Sequence, residues 1–229
     1  MPTLGTMISY PTSDGQAANA YEVPSGSSSK NVLIVIHEAW GLNDGIKRSA
    51  EKLASELGPD ARVIALDLFD GRLIDTIEQL TEFRKTWPAG RAEAIVRGAL
   101  DYAGEDANIA TLGWCMGGMW SLRTALTAGS QCSACVAYYG TMITDPAQLA
   151  PLNAPVLAIF GKLDQHITQE HARAFQAAMH EAGKSVTVLS YDADHAFANE
   201  GRPRYNAEAA ADANAKALAF LREHWLKRA

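Results

Sequence analysis

Apolar positions along the chain fall into two alternating patterns. Val32-Leu33-Ile34-Val35-Ile36 is a continuous β-branched run, the mark of a strand covered on both faces. Arg62 to Leu66, Ile109 to Gly113, Cys135 to Tyr139, Pro155 to Phe160 and Val186 to Tyr191 have the same character. Between these runs apolar residues recur at helical spacing: Ile46, Ala50, Leu53, Ala54 and Leu57, then Ile95, Val96, Ala99, Leu100 and Ala103,. Gly117 to Thr127, Thr168 to Ala182 and Ala207 to Leu226 supply three further helical stretches. Strands alternating with helices predict βαβ units around a mostly parallel central sheet with helices on both faces. The opening segment differs, because Met7 to Tyr10 and Ala20 to Val23 flank Asp14-Gly15, a turn signal. A small N-terminal antiparallel hairpin is therefore expected. No internal repeat, charge block or composition shift marks a linker, so residues 1–229 read as one α/β domain.

Composition narrows what such a fold can do. Asp and Glu number 26 against 20 Lys and Arg, a net charge of −6 with an isoelectric point near 5.5. That balance argues against a general binder of nucleic-acid phosphates. No apolar run is long enough to span a membrane. Met1-Pro2-Thr3-Leu4-Gly5-Thr6 lacks the basic and apolar stretches of a secretory signal,. The three cysteines cannot all pair, and a chain of this length needs no disulfide framework. A reducing, cytoplasmic setting is expected, with no nucleic-acid or membrane partner; the oligomeric state is left open.

The sharpest local signal is Gly113-Trp114-Cys115-Met116-Gly117-Gly118, which follows one predicted strand and opens a predicted helix. A nucleophile on so sharp a strand-to-helix turn has this context. Side chains two positions to either side of it would collide, and Gly113 and Gly117 stand there,. The helix N-terminus favours a thiolate at Cys115 and presents the Met116 N–H to an oxyanion. The plain structural alternative is a buried cysteine in a close-packed glycine turn. A thiol nucleophile needs a base, and the base an orienting acid. On folds with such an elbow the chain order is nucleophile, acid, histidine. Asp164 follows the strand ending at Phe160, and His195 follows the strand ending at Tyr191, so Cys115, Asp164 and His195 satisfy that order.

Other polar residues carry less. Asp192 and Asp194 read as turn residues, and His166 and His171 as solvated surface. His37-Glu38 begins like a zinc-binding helix motif, but position 41 is Gly where the second His belongs,. No metal and no cofactor are expected. The loop after the first buried strand supplies the second oxyanion donor in an elbow-bearing fold, and Ala39 is the natural donor. Cys132 and Cys135 have the CxxC spacing of a redox pair but run into a strand rather than a helix,. Cys135 reads as core and Cys132 as a loop thiol. Trp40, Trp114 and Trp120 cluster around the motifs and can shape an aromatic pocket,.

Taken together, His37-Glu38-Ala39-Trp40-Gly41, the Gly113–Gly118 elbow, Asp164 and Asp194-His195-Ala196-Phe197 resemble the dienelactone hydrolase family over nearly the whole chain. The resemblance implies an α/β-hydrolase fold and hydrolysis of a small-molecule ester or lactone by a Cys115–Asp164–His195 triad. It implies that Glu38 holds the resting thiol and helps deprotonate it, with Ala39 and Met116 as oxyanion donors, and that Tyr139 lines the pocket. Members that open dienelactones carry an arginine four residues after the histidine, where this chain has Asn199. Asn199 offers hydrogen bonds without charge, leaving Arg84, Arg202 and Arg204 as candidates for the substrate carboxylate. A general carboxylesterase or thioesterase on the same fold is the nearest alternative. A thiol redox protein using Cys132 and Cys135 is the alternative from another class.

Overall fold

The computed structural model describes residues 4–228. Its eight strands are β1 (Thr6–Pro11), β2 (Ala17–Val23), β3 (Asn31–Ile36), β4 (Arg62–Leu66), β5 (Asn108–Trp114), β6 (Cys132–Tyr138), β7 (Val156–Gly161) and β8 (Val186–Tyr191). They form one sheet in the order β1-β2-β4-β3-β5-β6-β7-β8. From β4 to β8 all neighbours are parallel. The β1–β2 hairpin joins antiparallel, with β2 against β4. The expected sheet and N-terminal hairpin are both present, and the arrangement is that of an α/β-hydrolase.

The continuous apolar runs become the inner strands because a sheet covered on both faces must be apolar on both. Every residue of β3, β6 and β7 is buried. On one face α1 (Asp44–Leu57) and α7 (Ala207–His224) cover Leu33, Val35, Leu112 and Val136. On the other lie α2 (Ile77–Thr86), α3 (Arg91–Ala103), α4 (Met116–Ala128), α5 (Pro146–Leu149) and α6 (Gln169–Glu181). The helix starts follow local chemistry: the side chains of Asn43, Thr168 and Asn206 accept backbone N–H groups of the first turns of α1, α6 and α7,.

Two of the helices, α2 and α5, have no counterpart in the periodicity. The first is amphipathic over only two buried residues, Leu80 and Phe83, and the second is a single turn opened by Asp145 and Pro146. Arg91 at the start of α3 ties the hairpin to the body. Its guanidinium is 1% exposed and pairs with Asp70 at 2.6 Å and Asp14 at 3.1 Å, while also donating to the Ala17 carbonyl. A charge buried this deeply persists because it is paired on every side.

Cys132 is a correction to the sequence reading. It is the first residue of β6 and 2% exposed, not a loop thiol, because β6 begins three residues before its apolar run becomes obvious. His171 is a second. It is half-buried, and its Nε2 accepts the Met142 N–H at 2.8 Å, so it fastens a loop to α6 instead of facing solvent.

Candidate active site

The carboxyl ends of β3, β5, β6, β7 and β8 release their chains on the same edge of the sheet, where α/β folds place their ligands. The segments that leave there carry His37 and Glu38, Cys115, Tyr139, Asp164 and His195. Cys115 joins β5 to α4 at φ 56°, ψ −118°, a left-handed backbone that a side chain adopts only under constraint. The constraint is visible on both flanks. A Cβ at Gly113 would overlap the Gly117 carbonyl, and one at Gly117 would overlap the carbonyls of Ile36 and His37. Only glycine lets β5, α4 and the end of β3 approach this closely.

Three side chains predicted from sequence come together here. Cys115 Sγ lies 3.2 Å from His195 Nε2, and His195 Nδ1 lies 2.6 Å from Asp164 Oδ2. Asp164 is 4% exposed, and its second oxygen accepts the N–H groups of His166 and Ile167. Burial pushes the Asp164 carboxyl up, yet the His195 bond and the two backbone donors outweigh it and hold the group below the usual carboxylate range,. Burial likewise works against a charged His195. Its bonds to Asp164 and Cys115 prevail and raise its affinity for a proton to about 10. The geometry favours an imidazolium between a carboxylate and a sulfur.

Glu38 is 3% exposed. Its carboxyl oxygens accept from Tyr139 Oη at 3.4 Å and Asn199 Nδ2 at 2.5 Å, and the sulfur of Cys115 is engaged by His195 instead. Burial shifts Glu38 toward its neutral acid, opposed by Asn199, Arg202 and His195. Tyr139, at φ 36°, is fully buried with its ring 5.2 Å from that of His195. The backbone N–H groups of Ala39 and Met116 have no acceptor among the described residues.

A cavity of about 460 Å³ opens beside this cluster between α1 and α7. Glu38, Tyr139 and Asn199 form its wall toward the thiol, Trp40 and Arg202 also line it, and Cys115 and His195 do not. Arg202 is half-buried, stacks 3.8 Å above the Trp40 ring and has no ion pair among the described residues. The other two arginines named from sequence stand apart from this cavity. Arg204 pairs with Asp194 at 3.3 Å, and Arg84 is exposed on α2, away from the lining. Asp194 also accepts the His195 N–H, and Asp192 pairs with Lys162, as turn residues do. Among the described residues no group of three or more His, Cys, Asp or Glu side chains could hold a metal ion, and no helix is long and apolar enough to cross a membrane.

The sequence names Arg202 and Trp40 separately, one as a candidate carboxylate partner and one as a pocket residue. The stacking of one on the other leaves no local pattern, since the two meet only after folding. His37 stands out in the sequence as half of a failed metal motif and as the first residue of the His37–Gly41 stretch, with no role of its own; it is fully buried, and its ring bridges the Glu38 carbonyl and the Leu68 N–H.

An eight-stranded, mostly parallel sheet with a strained cysteine at a strand-to-helix elbow defines an α/β-hydrolase. Residues 18–225 match the model of the dienelactone hydrolase family, and the chain belongs to that family. It is thus a hydrolase of the ester- and lactone-cleaving type. A carboxymethylenebutenolidase of Pseudomonas sp. (strain P51) is 33% identical over 118 residues, 51% of this chain and 48% of that protein. Carboxymethylenebutenolidase 1 of Cupriavidus pinatubonensis (strain JMP 134) is 22% identical over 95% of this chain and 97% of its own length. In fold, the chain is similar to the crystal structure of a dienelactone hydrolase-like promiscuous phosphotriesterase, P91, from metagenomic libraries, with a TM-score of 0.80 at 22% identity, covering 97% of this chain and 99% of that one.

Proposed function

We propose that the protein hydrolyses a carboxylic ester or lactone through a covalent thioester on Cys115. The observation that carries this reading is the line from Cys115 through His195 to Asp164, with contacts of 3.2 and 2.6 Å, on a strained elbow. The Cys115 thiolate attacks the carbonyl carbon, and the oxyanion that forms is received by the N–H groups of Ala39 and Met116. Collapse breaks the bond to the leaving oxygen, which takes its proton from His195, and leaves an acyl thioester on Cys115. His195 then accepts a proton from water as the water attacks the thioester. The acid departs, and the thiolate–imidazolium pair is restored. Asp164 orients and stabilises the imidazolium throughout. His195 already engages the thiol in this arrangement, so proton removal falls to it, while Glu38 is occupied by Asn199 and Tyr139 and works as the wall between the thiol and the cavity.

Asn199 favours a broad substrate range over a dedicated dienelactone activity. Its amide is spent on Glu38, and it brings no charge to a substrate carboxylate. Trp40 and Tyr139 are read as substrate-binding residues, with Arg202 as a half-buried cation of the cavity lining that has no ion pair among the described residues, and Arg84 away from that lining.

The test is a rapid-mixing experiment with p-nitrophenyl acetate, quenched in acid and followed by peptide mass analysis. A burst of one equivalent of nitrophenol with the acetyl group on the Cys115 peptide is the expected result. Acetyl on another residue, or turnover without an acyl-enzyme, rejects the reading. A parallel panel of neutral esters and carboxylate-bearing lactones decides between the two substrate ranges.

A further inference from the structure

We infer that His37 is a positioning residue for the oxyanion hole, fixing the Glu38–Ala39 peptide so that the Ala39 N–H faces the elbow. The inference rests on the proposed thiol hydrolysis. His37 is fully buried and touches no reacting atom, yet both of its ring nitrogens are committed. Nδ1 lies 2.5 Å from the Glu38 carbonyl oxygen, and Nε2 lies 3.1 Å from the Leu68 nitrogen. A carbonyl oxygen only accepts and a backbone N–H only donates. A single neutral tautomer satisfies both, with the proton on Nδ1.

The consequence follows from peptide geometry. The Glu38 carbonyl and the Ala39 N–H belong to one rigid plane, and that bond is trans, so the two groups point in opposite directions,. Holding the carbonyl back toward the His37 ring therefore turns the Ala39 N–H the other way. That N–H has no acceptor among the described residues. The His37 carbonyl, one residue earlier, packs so tightly on Gly117 that a Cβ there would overlap it, which brings this stretch of chain against the elbow. The ring is itself anchored beyond the end of β4, through Leu68 and an edge-on contact with Phe69 at 4.9 Å between ring centroids. His37 thus transfers the rigidity of β4 to a single peptide of the active-site loop. Burial lowers its proton affinity to about 4, which keeps the required neutral form at working pH; an imidazolium would turn a second N–H on the Leu68 donor.

Two substitutions separate the two bonds. Asparagine places its amide near the position of Nδ1 and can still donate to the Glu38 carbonyl. Glutamine reaches the position of Nε2 and can accept from Leu68, but no longer restrains the Glu38 peptide. For hydrolysis of p-nitrophenyl acetate, His37→Gln is expected to lose about 10²-fold in kcat with KM unchanged, the scale of one lost oxyanion donor, while His37→Asn stays within about fivefold of wild type. Iodoacetamide alkylation of Cys115 should proceed at the wild-type rate in both variants, because displacement of iodide builds no charge on a carbonyl oxygen. A structural role alone would slow alkylation along with hydrolysis.

The inference is overturned if His37→Gln retains its kcat, if alkylation falls by the same factor as hydrolysis, or if His37→Asn falls as far as His37→Gln. Should His37→Gln not fold, His37→Asn decides: near-wild-type kcat supports the inference, and a loss near 10²-fold rejects it. Wild type and Cys115→Ala are assayed alongside. Equal turnover by those two would remove thiol hydrolysis itself, a failure distinct from any pattern among the His37 variants.

Discussion

Cys115, just past the end of β5, and the pair Cys132 and Cys135 in neighbouring β6 carry the same functional group in opposite surroundings. Cys115 leaves β5 on a strained turn, half-buried, at the N-terminus of α4 with an imidazole 3.2 Å from its sulfur. Cys132 and Cys135 lie inside β6 at 2% and 0% exposure. Their sulfurs approach the Ala134 carbonyl and the Ser121 hydroxyl, each at 3.5 Å. Burial pushes both thiols up, well away from the thiolate form,. Reactivity is a property of surroundings: a helix end and a base are what the proposed nucleophile needs, and two sheet faces make the other thiols small apolar residues. The redox reading of the CxxC spacing loses its support on these grounds.

The largest expected effect separates the regions at once. Cys115→Ala should lower kcat for ester hydrolysis by about 10⁴-fold or more, on the order of what loss of a triad nucleophile costs, because triad members act as a unit. Cys132→Ala and Cys135→Ala should leave kcat within about twofold, as expected of residues outside the reacting group. The comparison fails if a β6 substitution matches the loss at Cys115. Next comes Asp164→Asn. It leaves a side chain of the same size but presents the wrong hydrogen-bonding face to His195 Nδ1, and the expected loss in kcat is about 10³- to 10⁴-fold.

Native-state labelling sharpens the contrast by a smaller factor. Iodoacetamide at neutral pH should modify Cys115 at least about 100-fold faster than Cys132 or Cys135, whose sulfurs become accessible only through opening of β6. Mass analysis of the peptides reads this directly, and comparable labelling at all three sites would refute it. The reverse asymmetry belongs to stability. Cys135→Ser puts a hydroxyl where a poorly hydrated sulfur fits and should cost about 1–3 kcal/mol of unfolding free energy. Cys115→Ser, at a half-buried turn, should abolish most activity at little cost in denaturation midpoint. Equal destabilisation by both would mean that the elbow cysteine is chiefly a packing residue.

What can be read in the sequence follows the same division. The inner strands are legible because burial on two faces forces unbroken apolar runs. The elbow is legible because glycines flanking a lone cysteine at two positions' distance are what a sharp, close-packed strand-to-helix turn demands. Asp164 and His195 are legible through chain order, and parallel strands bring both to the end of the sheet where His195 meets Cys115 and Asp164 meets His195. The short helix α5 and the weakly amphipathic α2 leave too little period to register. Cys132 reads as a loop thiol because polar Ser133 interrupts the run at the start of β6, although Ser133 is itself buried and donates to Asn108. The partners of His37 and Arg202 lie elsewhere in the fold: Leu68 is reached from β4, and Trp40 comes from the loop after β3. Long-range pairs of single polar side chains carry no periodicity, and they are the part of the site that sequence does not supply.

The smallest expected effect lets pH distinguish the two regions without an activity assay. In the fold His195 keeps its proton to about 10, against about 6.5 in an unfolded chain. Its contribution to stability is complete below about 6.5 and is lost as pH rises toward 10,. Cys132 and Cys135 also bind their protons more firmly in the fold, but an unfolded thiol ionises only near about 8.5. Their share of the alkaline loss therefore begins later, as pH passes about 8.5. Thermal midpoints measured from about pH 6 to about pH 10 should then fall in two stages. His195→Gln should flatten the first stage, and Cys115→Ala should flatten it in part, because the sulfur is one of the two partners that raise His195. Cys132→Ala combined with Cys135→Ala should leave the first stage intact and flatten only the second. If Cys115→Ala leaves the first stage unchanged, the proton on His195 owes nothing to the thiol, and the pairing that sets Cys115 apart from the β6 cysteines is absent.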